Sequence, residues 1–216
     1  MERDTITILL RRGRFAAAAA VSVAYLGFAP AAALQSGVAA EYVIHISVDG
    51  LNARVMQDVV EAGRAPAIKR MESEGAWTLN ARTDFTHTIT LPDHTCMLTG
   101  RPVLQPAGMP DMVYHGITLN DTMPHGATLH NQGNPHAGYI ASVFDVVHDA
   151  GKSTGLYVSK DKFAIFKQSY DETTGAPSPH GRNKIDSFFF QDDGAPTFSE
   201  GMNQRFLTDM AAHHYN

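Results

Sequence analysis

Tyr42-Val43-Ile44-His45-Ile46-Ser47-Val48 is β-branched and apolar, and it runs into Asp49-Gly50, a turn signal. The pattern predicts a buried strand delivering a carboxylate at its carboxyl end. In an open α/β sheet that edge is where ligands bind. An Asp-Gly turn with no chemical role is the alternative reading of the same residues.

Working outward from this strand, helices and strands alternate. Asn52–Glu61 places Val55, Met56, Val59 and Val60 on one face and stops at Gly63. Pro66 opens a second helix, with Ile68 and Met71 inward and Lys69, Arg70, Glu72 and Glu74 outward, closed by Gly75. Trp77–Ala81 reads as a short strand. A helix from about Pro92 to Leu98 is stopped by Gly100, and Ala141–Ala150 forms another before Gly151. Ser153–Ser159 is the next strand, Lys160–Phe166 a short helix, Ile185–Phe190 a strand, and Glu200–His213 a final helix. Such alternation predicts an α/β fold, a mostly parallel sheet sandwiched by helices. Two long loops, 100–139 and 171–183, interrupt it, and loops of that length are commonly functional or disordered.

The amino terminus reads differently. Arg11, Arg12 and Arg14 precede an apolar run from Phe15 to Phe28, and Ala31, Ala32 and Ala33 offer a small-residue cleavage site. That order predicts a secretory signal peptide over residues 1–33 and an exported catalytic part, 34–216, in the periplasm or outside the cell. The apolar run is shorter than the ~20 residues of a spanning helix, so no membrane span is expected after cleavage. Without these residues the chain keeps 13 basic and 20 acidic side chains. A formal charge of −5 for the whole chain disfavours a nucleic-acid-binding surface built on bulk charge. One cysteine excludes an internal disulfide framework and any Cys-rich zinc site. Cys96, among apolar helix residues with no basic neighbour in sequence, reads as a core thiol.

Thr90 stands just before Leu91-Pro92. Proline favours the first helical turn, so Thr90 falls at or beside the helix N-terminus, where free N–H groups and the dipole favour an anion. A simple helix cap is the alternative role for its hydroxyl.

Four segments occur in order: Val43–Gly50, Ala65–Gly75, Thr90–Pro102 (with Thr-Leu-Pro-Asp-His and a later Thr-Gly), and His115–Asn120 (His-Gly-Ile-x-x-Asn). Together they resemble the amino-terminal half of a type I phosphodiesterase/nucleotide pyrophosphatase of the alkaline phosphatase superfamily, over roughly residues 42–166. The resemblance implies an alkaline-phosphatase-like fold and a small phosphate-ester substrate. It implies that Asp49 is a metal-binding aspartate. Thr90 would be the nucleophile, its oxygen also touching a metal ion, and Asn120 would donate its amide to a phosphoryl oxygen. Two divalent ions, zinc by analogy, would turn the threonine hydroxyl into an alkoxide and clamp an in-line displacement. An amide aimed at the developing charge contributes ~3 kcal/mol in comparable sites. The remaining metal ligands of the family are expected beyond residue 216, so the chain is expected to be the first part of a longer catalytic domain, with little turnover alone.

Two departures from the family stand out. Asp93 replaces a customary asparagine, and its carboxylate is expected to satisfy N–H groups of the first helical turn. The segment between Gly100 and His115 is longer than usual by about nine residues. Asp209–His213 copies an Asp-x-x-x-His spacing but falls inside a helical pattern, which predicts a coincidence. His87, His115, His125, His130 and His136 fall in loops, and His94 on the Thr90 helix is expected to bond locally. A monoesterase, phosphonate hydrolase or sulfatase of the same superfamily, or a non-catalytic anion-binding module, remain alternatives.

Overall fold

The computed structural model describes residues 42–111, 113–176, 182–192, 194 and 198–213. The predicted signal peptide lies outside the described residues. No described helix is long and apolar enough to cross a membrane.

Helices account for most of the regular structure, and the first five each begin or end where a local signal stands. α1 (Ala53–Glu61) starts at Asn52, whose side chain accepts the N–H groups of Arg54 and Val55. α2 (Pro66–Glu74) carries its proline at the start. α3 (Thr90–Thr99) ends at Gly100, where φ is +66°, a left-handed conformation glycine adopts without strain. α4 (Leu129–Gln132) is a single turn within the long 100–139 loop, capped by Thr128. α5 (Val143–Asp149) opens with a capping box: Ser142 accepts the Phe144 N–H, and Asp145 accepts the Ser142 N–H.

β1 (Gly155–Val158) then leads through a 3₁₀ turn, Asp161–Phe163, into α6 (Ala164–Tyr170) and on to β2 (Ser187–Phe190). β1 and β2 pair in parallel, Gly155 opposite Ser187 through Val158 opposite Phe190. The period-2 alternation of a strand gives this small sheet two faces with different packing partners. Leu156, Val158 and Phe188 join the core cluster. Tyr157 and Phe189 face α7 (Phe198–His213), where Phe206 meets Tyr157 edge-on at 5.4 Å and Arg205 lies 5.2 Å over Phe189.

The core itself gathers Leu91 of α3, Ile117 from the long loop and Ile140 just after it, and Ile165, Phe166 and Tyr170 of α6, all at most 2% exposed. Each such side chain contributes about 1.5–3 kcal/mol of burial. The 100–139 stretch is therefore packed rather than loose: His115, Val103 and Asn134 are fully buried, and the His115 and Gly116 N–H groups bond the Pro102 and Val103 carbonyls.

Two expected strands do not form. Tyr42–Val48 joins no sheet, and Val43 and Ile46 are about 60% exposed, at 63% and 61%. Trp77–Ala81 is irregular, with an isolated bridge at Ala76 beside it. Strand propensity becomes a strand only against a ladder partner, and β1 and β2 are the only paired strands among the described residues. The α/β expectation stands as helices plus a two-stranded parallel sheet. A larger sheet sandwiched by helices is not present among the described residues.

Candidate active site

α3 begins where three separate segments converge. Its first residue, Thr90, is 6% exposed. The Thr90 hydroxyl donates to Asp49 Oδ2 at 3.1 Å, across 41 positions of sequence. It does not cap the helix: the capping position is Ile89, and no side chain caps α3 from there. The N–H of Leu91, unpaired by any helix bond, is instead accepted by Asn120 Oδ1 at 2.9 Å. With its carbonyl committed, Asn120 presents its NH2 group as the free, donating end.

The helix end offers fewer amides to an anion than the sequence suggests. Pro92 has no N–H, Leu91's is taken by Asn120, and Asp93's closes the first helical bond, to Ile89 O at 3.1 Å. The N–H of Thr90 itself remains. The Asp93 carboxylate is also elsewhere: it accepts from the Thr83 hydroxyl at 2.6 Å rather than from first-turn N–H groups. Burial raises its pKa, and the nearby Asp84 and Asp49 carboxylates add to the effect against the Thr83 bond.

Two lysines complete the arrangement. Lys160 Nζ lies 2.5 Å from Asp49 Oδ2, and Lys162 Nζ donates to the Asn120 main-chain carbonyl at 2.5 Å. One short turn thus holds both the carboxylate and the asparagine loop. Burial opposes the charge on Asp49, but the Lys160 ammonium and the Thr90 hydroxyl outweigh it and hold the carboxyl below its ordinary value. Neither lysine was singled out by sequence reasoning. The available signal was position, since Lys160 follows β1 within two residues, at the same kind of strand end that drew attention to Asp49.

His94 braces the Thr90 turn of α3. Its Nδ1 donates to the Thr90 carbonyl at 2.7 Å, leaving Nε2 to accept from the Ser47 hydroxyl at 2.9 Å. Its ring packs on Phe163 at 4.7 Å, and burial lowers its pKa. This is the local role expected of it, extended to tie the 42–48 segment to α3.

The match to known proteins falls on this same stretch. Residues 43–135 match the family model of type I phosphodiesterase / nucleotide pyrophosphatase. No curated protein and no solved structure matches the chain. The phosphodiesterase-matched segment contains Asp49, Thr90 and Asn120, whereas Lys160 and Lys162 lie beyond it.

Whether these residues suit a metal ion is a question of donors. Asp49 and Thr90 supply two oxygens, and zinc in proteins takes about four ligands. Among the described residues no group of three or more His, Cys, Asp or Glu could hold a metal ion. The Asp49 oxygen facing Thr90 already carries the Lys160 ammonium. The described residues therefore do not fit a zinc site as they stand.

Among the described residues, Cys96, His115 and His130 bond partners other than Asp49, Thr90 and Asn120. His115 accepts the Ile117 N–H on Nδ1 at 3.0 Å, so its Nε2–H points at Cys96 Sγ, 3.3 Å away. Cys96 thus has an imidazole partner that its sequence neighbours did not reveal. Burial still pushes the thiol up to about 12 and the imidazole down to about 4, a neutral pair unsuited to nucleophilic work. His130 donates to Ser169 O, accepts from Ile140 N–H and stacks on Tyr139 at 4.5 Å. Asp209 lies in α7 and bonds the Tyr157 hydroxyl at 2.7 Å and Arg205 at 2.8 Å, so its spacing to His213 is that of a helix. A cavity of about 380 Å³ opens beside the C-terminal half of α3 between Arg82, Asp84, Cys96 and Arg101, and Thr90 is not in its lining.

Proposed function

We propose that the chain carries the nucleophile and phosphoryl-binding groups of a phosphate-ester hydrolase of the phosphodiesterase/pyrophosphatase type, acting on a small substrate after export directed by residues 1–33. The observation that carries this reading is the Thr90–Asp49 hydrogen bond of 3.1 Å at a helix N-terminus that also bears Asn120, within the family-matched residues.

In this reading Thr90 Oγ forms a bond to phosphorus while the bond from phosphorus to the leaving oxygen breaks, and the hydroxyl proton passes to solvent. Water then cleaves the phosphothreonine, returning a proton to the Thr90 oxygen and releasing the phosphoryl group, as a phosphate monoester when the substrate is a diester. Asp49 turns the hydroxyl proton toward itself, which leaves an oxygen lone pair for attack. A carboxylate held by Lys160 is a weak base, so Asp49 orients the hydroxyl more than it ionises it. The Asn120 amide and the Thr90 N–H supply donors for the phosphoryl oxygens, and such preorganised donors act where charge develops. Lys160 and Lys162 add positive charge beside an anionic substrate. Asp49 and Thr90 supply too few donors for a zinc shell, and no step of this proposal passes through a metal ion.

The test is turnover of bis(p-nitrophenyl) phosphate by the full-length protein, with p-nitrophenyl phosphate as the monoester arm. Thr90→Ala should abolish turnover, and acid quenching of the wild type should trap phosphate on Thr90. Unchanged turnover in Thr90→Ala would overturn the proposal.

A further inference from the structure

Asn120 sits in an irregular stretch, 118–123, between the buried Ile117 and Ala127. Among the described residues, two hydrogen bonds hold that stretch, and Asn120 makes both. Its side-chain Oδ1 accepts the Leu91 N–H at 2.9 Å, and its main-chain carbonyl accepts from Lys162 Nζ at 2.5 Å, 42 positions later in the chain. The first bond decides which end of the amide faces α3. Where the opposite NH2 end points also depends on the main chain from which the side chain grows, and the second bond holds that main chain.

The donor of the second bond has a firm base. Lys162 stands in the middle of the 3₁₀ turn Asp161–Phe163. Its neighbour Phe163 is 7% exposed, stacks on Phe166 at 5.6 Å and meets the His94 ring at 4.7 Å. The Phe163 N–H closes the turn on the Lys160 carbonyl at 3.1 Å. The Lys162 backbone is therefore set by the same packing that, through His94, holds the Thr90 turn. Lys162 itself is partly buried, and a charged donor to a carbonyl makes a strong bond there.

We propose that Lys162 is a positioning residue: it holds the Asn120 main-chain carbonyl so that the amide, anchored by Leu91, presents its NH2 group to the phosphoryl oxygens in one orientation. The proposal rests on reading Asn120 as the phosphoryl donor beside Thr90. Lys162 acts through Asn120, so its removal weakens transition-state stabilisation more than ground-state binding. The geometry that sets the rate then depends on a side chain outside the family-matched residues 43–135.

The experiment has two arms, both on the full-length protein. Hydrogen–deuterium exchange without substrate follows the Leu91 amide. In Lys162→Met it should exchange at least about fivefold faster than in wild type, because the loop opens more often. The Gly100 amide at the other end of α3, bonded to the Cys96 carbonyl at 2.8 Å, should keep its rate. Equal Leu91 rates in both proteins, or equal acceleration of Leu91 and Gly100, would overturn the proposal.

Turnover of bis(p-nitrophenyl) phosphate supplies the second arm. Lys162→Met should lower kcat by roughly tenfold or more, with KM changed less than about threefold. In an Asn120→Ala background the same substitution should change kcat by no more than about twofold. Lys162→Arg, which keeps a donor for the carbonyl, should recover most of the lost kcat. A loss carried by KM, or one as large without the Asn120 amide as with it, would overturn the proposal, since Lys162 would then act on the substrate as a charge. Should Lys162→Met lose its folded circular dichroism, Lys162→Ser, polar but too short to reach the carbonyl, replaces it. Exchange is read without turnover, so the two failures are distinct. Equal exchange faults the positioning, whereas faster exchange with full activity in Asn120→Ala faults the reading of Asn120 and the proposal with it.

Discussion

Asn120 Oδ1 accepts the N–H of Leu91 at 2.9 Å, closing one of the open donors at the start of α3 with a side chain from a loop 29 residues later. This bond fixes the asparagine's orientation. It makes the same residue both a structural plug for the helix end and a donor beside Thr90.

The two roles separate in a single substitution. Asn120→Asp keeps an acceptor for Leu91 and loses the NH2 donors. Stability should change by no more than about 1 kcal/mol, while turnover of the diester falls roughly 10²–10³-fold. Thermal unfolding alongside kinetics checks it. A loss of stability with turnover retained would show that the asparagine serves only the helix end.

Gly116 sits at φ +77° with the Asn134 N–H behind it. A methyl group there would lie 2.6 Å from Asn134 N and 2.8 Å from Gly133 C, and backbone cannot move aside as a side chain can. Gly116→Ala should cost about 3 kcal/mol or more, from strain and overpacking together. Urea unfolding measures it, and a change below about 1 kcal/mol would contradict the packing described for the 100–139 loop.

Asp93 has a carboxyl raised by burial and by neighbouring carboxylates. A folded pKa above the unfolded value means that ionisation opposes folding, so this group costs stability as pH rises above 3.8. Asp93→Asn keeps the acceptor for Thr83 and removes the charge. The variant should be more stable than wild type at pH 7 and indistinguishable from it at pH 3, compared by urea unfolding.

His115 shifts the other way, from 6.5 to about 4, because burial disfavours the imidazolium. The unfolded chain takes up a proton below pH 6.5 that the folded chain refuses until about pH 4. The neutral histidine's contribution is whole above pH 6.5 and is lost between those values, at up to ~1.4 kcal/mol per pH unit for one proton. His94 and His45 are lowered too and add to the slope. His115→Gln should flatten the pH dependence of stability in this window by up to one proton, and an unchanged slope would assign it to the other histidines.

Most helices were legible because their signals are local. α4 within the long loop was not expected, and the helix expected over Lys160–Phe166 is a 3₁₀ turn followed by Ala164–Tyr170, whose start no capping side chain marks. Asn52, Pro66, Gly100 and Ser142 each satisfy or terminate backbone groups within four residues, whatever the rest of the chain does. The β1 and β2 segments were legible too, as apolar runs beside turn residues. Tyr42–Val48 carries an equally strong run and forms no strand, since a ladder requires a partner that no local pattern supplies. The same limit explains Lys160, whose two sequence neighbours, Ser159 and Asp161, say nothing of Asp49.

By itself, then, the sequence determined where α1, α2, α3 and α5 start or stop, and its resemblance to a family pointed to Asp49, Thr90 and Asn120 as candidates for one site. Only the tertiary structure decided what each of them touches. Thr90 turns from capping its helix to Asp49, Asn120 takes over the helix end, Asp93 pairs with Thr83, and Lys160 seats itself on the carboxylate. Caps and turns close over a few residues and are written in adjacent positions. Contacts spanning 41, 29 and 111 residues exist only once the core has brought α3, the long loop and the β1 turn together.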